Sequence, residues 1–204
     1  MPIHAILFGG LPALAEIDTL DHQALDAALQ ETGAPALPRQ EYAALLDTAD
    51  GPERMERVTD GDGATLFEAK QEHLVERVRQ VGLSERPGVA DVVDAAAAEG
   101  VALVLVTDLE GPVLDAMLAA FRLLEPGSFT AIVPTWEAAL ARLDAGPTDC
   151  MAIAADPWTA TAARQAGLPV TAYPAAAHRE RAFEGAAAIT AALSPELLGL
   201  NRPV

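Results

Sequence analysis

The stretch Arg86–Asp108, RPGVADVVDAAAAEGVALVLVTD, decides the fold of this 204-residue chain. Its second part, Val101–Val106 (VALVLV), is apolar throughout. A central parallel strand, buried on both faces, requires such a run. The first part enters a helix with Pro87 in its opening turn, runs through the alanines 95–98, and closes at Gly100. Proline suits a helix start, and glycine suits the residue just past a helix end. Working outward, Ala5–Phe8 reads as an earlier strand ending in Gly9-Gly10, while Ala131–Val133, Met151–Ala155 and Pro169–Ala172 read as later ones. Helical patterns lie between and after them, at Gly111–Leu124, Thr135–Leu143, Pro157–Ala166 (closed by Gly167) and Phe183–Leu193. Strands alternating with helices of this length indicate βαβ units, hence a doubly wound parallel α/β sheet.

The stretch from Glu16 to Glu85 breaks that alternation. It offers helical patterns only, at Asp21–Glu31, Gln40–Asp47, Pro52–Val58 and Leu66–Val81, separated by the turn clusters GAPALP (33–38) and DGDG (60–63). Four helices between the first strand and the next βα unit make an inserted cap. Residues 1–15 and 86–204 are therefore expected to form the α/β core domain, and residues 16–85 the four-helix cap.

Composition bounds the partners. The formal net charge is −17, from 13 Lys and Arg against 30 Asp and Glu. Such a field repels nucleic-acid backbones and anionic membranes, so neither is an expected partner, and it gives the acidic protein solubility. With 51% hydrophobic residues, a chain of this size can bury roughly 70% of its unfolded surface. The one cysteine, Cys150, cannot form an internal disulfide, and beside the apolar run Met151–Ala155 it reads as a buried structural thiol. No basic-then-apolar leader opens the chain, and no apolar run approaches the roughly 18 residues of a membrane span. The expected location is cytoplasmic.

The segments HAILF, HQALDAAL, YAALL…GPERMERV, LFEAKQEHL, RPGVADVV, VLVTD, AARQAGLPV and FEGA, in this order and spacing, resemble the haloacid dehalogenase superfamily. The subfamily is the one with a helical cap after the first strand, which includes β-phosphoglucomutases and phosphoglycolate phosphatases. Within it, the sugar-bisphosphate phosphatases encoded beside Rubisco are the nearest likeness. The resemblance implies a Rossmann-like core and a definite chemistry. An Asp ending the first strand attacks phosphorus, and a second Asp two residues on protonates the leaving oxygen. A Ser or Thr after the second strand and a later Lys hold the phosphoryl oxygens, and acids after the fourth strand hold Mg²⁺.

Set against that pattern, Gly9 stands at the nucleophile position and Leu11 at the acid-base position. Ala154 and Ala155 take the places of the metal acids, and no lysine follows Lys70. Thr107 keeps the second motif. Asp156 is the one carboxylate left near the metal motif, and alone it makes a poor Mg²⁺ ligand set. No catalytic residues are therefore assigned, no cofactor is expected, and whether the chain is an enzyme stays open.

Ligand-binding candidates remain. The resemblance places His22, Arg54 and Lys70 of the cap, with Thr107 and Asp108 at a strand end, where relatives meet sugar phosphates. Arg54 would be a forked phosphate ligand. Alternatively, Arg54 and Lys70 are solvated helix charges paired with nearby glutamates, and Thr107 caps the next helix. Trp158 would help fill the emptied metal pocket, or stand half-exposed at its helix start. His4, His73 and His178 lack metal-ligand spacing and read as surface or structural. Two functions follow. One is a non-catalytic pseudoenzyme that binds a small phosphorylated metabolite or a protein partner. The other is a hydrolase of a small phosphorylated sugar or related metabolite, using Asp156 or Asp108 by another route.

Overall fold

The computed structural model describes residues 3–46 and 51–201. The chain divides into two compact units. One comprises Met1–Glu16, Ser84–Leu109 and Phe121–Val204; the other comprises Ile17–Leu83 and Glu110–Ala120.

The first unit is built on a six-stranded, wholly parallel sheet: β1 (Ala5–Gly9), β2 (Ala102–Val106), β3 (Ala131–Val133), β4 (Cys150–Ala154), β5 (Val170–Ala172) and β6 (Ala188–Ile189). Their order is β3-β2-β1-β4-β5-β6. This is a doubly wound order, and the strand sequence reverses between β1 and β4. All of β1 and nearly all of β2 are buried, which accounts for their unbroken apolar reading. Helix α5 (Val89–Glu99) buries Val89, Val92, Val93 and Ala96, an i, i+3, i+4, i+7 stripe. Its N-cap, Gly88, lies in the left-handed region at φ 84°, and a Cβ there would fall 1.9 Å from the Leu193 carbonyl oxygen. Pro87 therefore sits in the turn ahead of the helix instead of inside its first turn.

Side chains alternate across the sheet. Ala5, Leu7, Val104, Val106, Ala152, Ala154, Val170 and Ala172 share one apolar cluster with Trp136 and Ala139 of α7 (Trp136–Leu143) and with Ala160 and Ala163 of α8 (Pro157–Gln165). Gly9 follows Leu7 with period two and belongs to that face. Alanines and a glycine on this face let the two helices approach closely, which bears on the site below.

One expected element is absent. Phe183–Leu193, read above as a helix, is a run of turns containing β6. Ala187 and Thr190 donate to the carbonyls of Val170 and Ala172 of β5, and Gly185 turns the chain at φ 70°. Alanine-rich helix propensity loses here to pairing along an open sheet edge. Other helices differ at their ends: the one expected at Gly111–Leu124 is α6 (Gly111–Ala119), and that at Pro52–Val58 is the short α3 (Pro52–Met55).

The second unit packs α1 (Asp18–Glu31), α2 (Arg39–Leu45), α3 and α4 (Gly63–Val81) around Leu25, Ala28, Leu29, Tyr42, Met55 and Leu66, and it includes α6. Asp47, expected to end a helix, lies outside the described residues. Among the described residues no helix is long and apolar enough to cross a membrane.

Cys150 opens β4 and is fully buried. Burial, then the charge of Asp149, pushes its thiol above the ordinary range. Since the thiolate is the reactive form, native protein at neutral pH is expected to be inert to Ellman's reagent, with one equivalent released on unfolding. Rapid modification of the native chain would contradict this placement.

Candidate functional site

The carboxyl ends of β1, β2 and β4 lie side by side, with Gly9 in register with Val106 and Ala154. Open α/β sheets bind their ligands outside this edge. The residues that follow are Gly10-Leu11, Thr107-Asp108 and Ala155-Asp156.

Gly9 has no open space beside it. A Cβ built there would lie 2.4 Å from Thr159 Cγ2 and 3.0 Å from two ring carbons of Trp136. Trp136 starts α7, behind the N-cap Thr135, whose hydroxyl accepts from the Ala138 amide at 3.1 Å. The aromatic ring that packs against Gly9 is Trp136. Trp158 is half-buried and stands edge-on to His178, with ring centroids 5.0 Å apart. Leu11 is buried in a 3₁₀ turn, Leu11–Ala13, entered through Gly10 at φ 79°. Ala154 and Ala155 are fully buried.

Asp156 caps α8. Its Oδ1 accepts from the Thr159 amide at 2.7 Å and its Oδ2 from the Thr159 hydroxyl at 2.8 Å, and the helix dipole favours the carboxylate there. The half-buried Thr107 accepts from the Leu109 amide at 3.2 Å, and Asp108 is exposed. Mg²⁺ demands a near-octahedral shell of oxygens with one or two free carboxylates. These residues fit it poorly, because the alanine side chains offer no oxygen, their carbonyls accept from the Tyr173 and Ala175 amides, and the Asp156 carboxylate is turned onto Thr159 as a helix cap. Among the described residues, no group of three or more His, Cys, Asp or Glu is placed to hold a metal.

A second polar centre lies in the helical unit. Lys70, on the buried face of α4, donates to Asp21 Oδ1 at 2.8 Å, and the Tyr42 hydroxyl donates to Asp21 Oδ2 at 2.9 Å. Lys70 is 0% exposed, Arg54 6% and Asp21 7%, so none is a solvated surface charge. Burial, then the charge of Asp21, pushes the Tyr42 phenol well above its usual range, while Arg54 acts in the opposite sense. His22 stacks on Tyr42 with centroids 4.4 Å apart, and its Nε2 donates to the Leu37 carbonyl at 2.8 Å. The centre thus joins Arg54, Lys70 and His22 of the sequence reading. Asp21 and Tyr42, its hub, were not singled out there.

No protein-family model matches the chain. The plasmid CbbY protein of Cupriavidus necator is 31% identical over 216 residues, spanning 90% of this chain and 83% of that one. The chain belongs to the CbbY family. CbbY of Rhodobacter capsulatus is 30% identical, spanning 91% of this chain and 92% of that protein. The crystal structure of CbbY from Rhodobacter sphaeroides in complex with xylulose-1,5-bisphosphate superposes with a TM-score of 0.84, at 27% identity, over 93% of this chain and 94% of that one. CbbY membership places the chain among the capped haloacid-dehalogenase-like proteins, close to the Rubisco-associated subfamily. It is homologous to phosphatases of that class.

Proposed function

We propose that this CbbY-family chain is a cytoplasmic, non-catalytic member that acts by binding and not by turnover. The observation that carries the reading is the filled space at Gly9. A phosphoryl-accepting carboxylate needs a Cβ and a free path to the ligand, and Thr159 and Trp136 stand within 2.4 and 3.0 Å of where that Cβ would begin. The rest of the edge agrees with it. Leu11 cannot move a proton, the side chains of Ala154 and Ala155 carry no oxygen for Mg²⁺, and Asp156 is held as a helix cap by Thr159. The competing reading, a sugar-phosphate phosphatase with a substitute acid, draws on homology to the CbbY proteins and would have to release Asp156 from its cap.

The purified chain with Mg²⁺ and either xylulose-1,5-bisphosphate or p-nitrophenyl phosphate is expected to release no phosphate above the protein-free control. Turnover that Asp156→Ala abolishes would establish the hydrolase instead.

A further inference from the structure

Lys70 is the only lysine in the chain; every other basic side chain is an arginine or a histidine. The two cations differ in what they fit. A guanidinium spreads its charge over a planar fork, whereas an ammonium concentrates it on one compact atom. Lys70 uses that compactness, since it is fully buried on the face of α4 that also carries Leu66, Leu74 and Val78. An ammonium removed from water needs an anion in contact. The face of the Phe67 ring, 5.1 Å from Nζ, favours the cation but carries no formal charge.

The anion is Asp21, and both its oxygens are engaged. One meets Lys70 Nζ at 2.8 Å, and the other receives the Tyr42 hydroxyl proton at 2.9 Å. Tyr42 is held in its protonated, donating form. The buried Arg54 contributes positive charge that Tyr42 feels. An ammonium and a phenol converging on two oxygens is the donor set of an oxyanion site. We infer that Asp21 is a built-in ligand: its carboxylate occupies an oxyanion site made by Lys70 and Tyr42 and closes it to an external phosphate or carboxylate group. This goes beyond the reading above, because it concerns binding in the helical unit and not turnover at the strand ends.

Melting and titration of the whole chain test it, with inorganic phosphate and formate as probes against chloride at matched ionic strength. For the wild type neither probe is expected to shift the melting temperature. Asp21→Ala is expected to melt lower in chloride and to regain stability in formate or phosphate, with binding at least tenfold tighter than wild type. Adding Lys70→Met should abolish that gain. A response to formate alone marks a carboxylate-sized site, and a response to phosphate marks a phosphoryl-sized one; either supports the inference. If Asp21→Ala is unfolded in chloride, its refolding by formate is the same readout, and the smaller polar change Asp21→Ser gives a second variant. The inference is overturned if neither variant responds to either anion, or if wild type binds phosphate in a way that Lys70→Met removes. Phosphate release is a separate measurement, so an inactive chain with an open oxyanion site would overturn this inference alone.

Discussion

Replacing Arg86 with alanine is expected to destabilise the protein by roughly 4 kcal/mol and to lower its melting temperature by about 8–16 °C. The guanidinium is buried, and its two terminal nitrogens donate to three main-chain carbonyls: Pro12 at 2.7 Å, Tyr173 at 2.9 Å and Pro174 at 2.6 Å. Hydrogen bonds from a charged group contribute about 1.5–3 kcal/mol each. Nε also lies 3.2 Å from Glu16, and the guanidinium carbon sits 3.5 Å from the centre of the Tyr173 ring. Removing the side chain leaves the Tyr173 and Pro174 carbonyls buried without this donor. It also unties the segment leaving β1 from the segment leaving β5, so the 3₁₀ turn that buries Leu11 should loosen. Lysine has the charge but not the fork, so Arg86→Lys should recover less than half of the loss. Urea unfolding of the three proteins gives the comparison. A loss below about 1 kcal/mol for the alanine variant would mean that Arg86 behaves as a surface charge.

Arg86 also shows what the sequence could and could not display. The apolar runs of β1, β2 and β4 announced a buried parallel sheet because burial on both faces removes polar positions. β6 was hidden, since two residues on a sheet edge have no periodicity and sit within alanines that favour a helix. Asp21 was legible in principle. It falls on the stripe Asp21, Ala24, Leu25, Ala28, Leu29, which α1 buries, whereas the family resemblance points to His22 beside it. Lys70 likewise stands four residues from Leu66 and Leu74 on the buried face of α4. A charge on an apolar stripe is a signal for a buried pair, but it does not name the partner, because Asp21, Tyr42 and Lys70 come from three helices. Trp136 gave no such signal. Its place beside Gly9 depends on strand order and on the small residues that let α7 approach, neither of which is local in sequence.

Gly9→Ala, the addition of one methyl group, is expected to destabilise by about 2 kcal/mol. Thr159→Ser should recover most of that loss. The added carbon would begin 2.4 Å from Thr159 Cγ2 and 3.0 Å from the Trp136 ring. Trp136 belongs to the packed layer between the sheet and helices α7 and α8, and Thr159 is held to Asp156 through both its amide and its hydroxyl, so neither has an easy retreat. Serine removes Cγ2 and keeps the hydroxyl that donates to Asp156 at 2.8 Å, which leaves the α8 cap intact. A double-mutant cycle should therefore give a coupling of about 1 kcal/mol or more, as expected for residues in direct contact. Gly9→Asp should cost more than alanine, because it adds a carboxylate to the same apolar layer. With Leu11→Asp alongside, it is still expected to release no phosphate from xylulose-1,5-bisphosphate. Adding two acids does not add the space in front of them. Independent, additive effects of Gly9→Ala and Thr159→Ser would show that the layer yields easily. Activity in the Gly9→Asp, Leu11→Asp protein would show that only the acids were missing, and the non-catalytic reading would then rest on composition without packing.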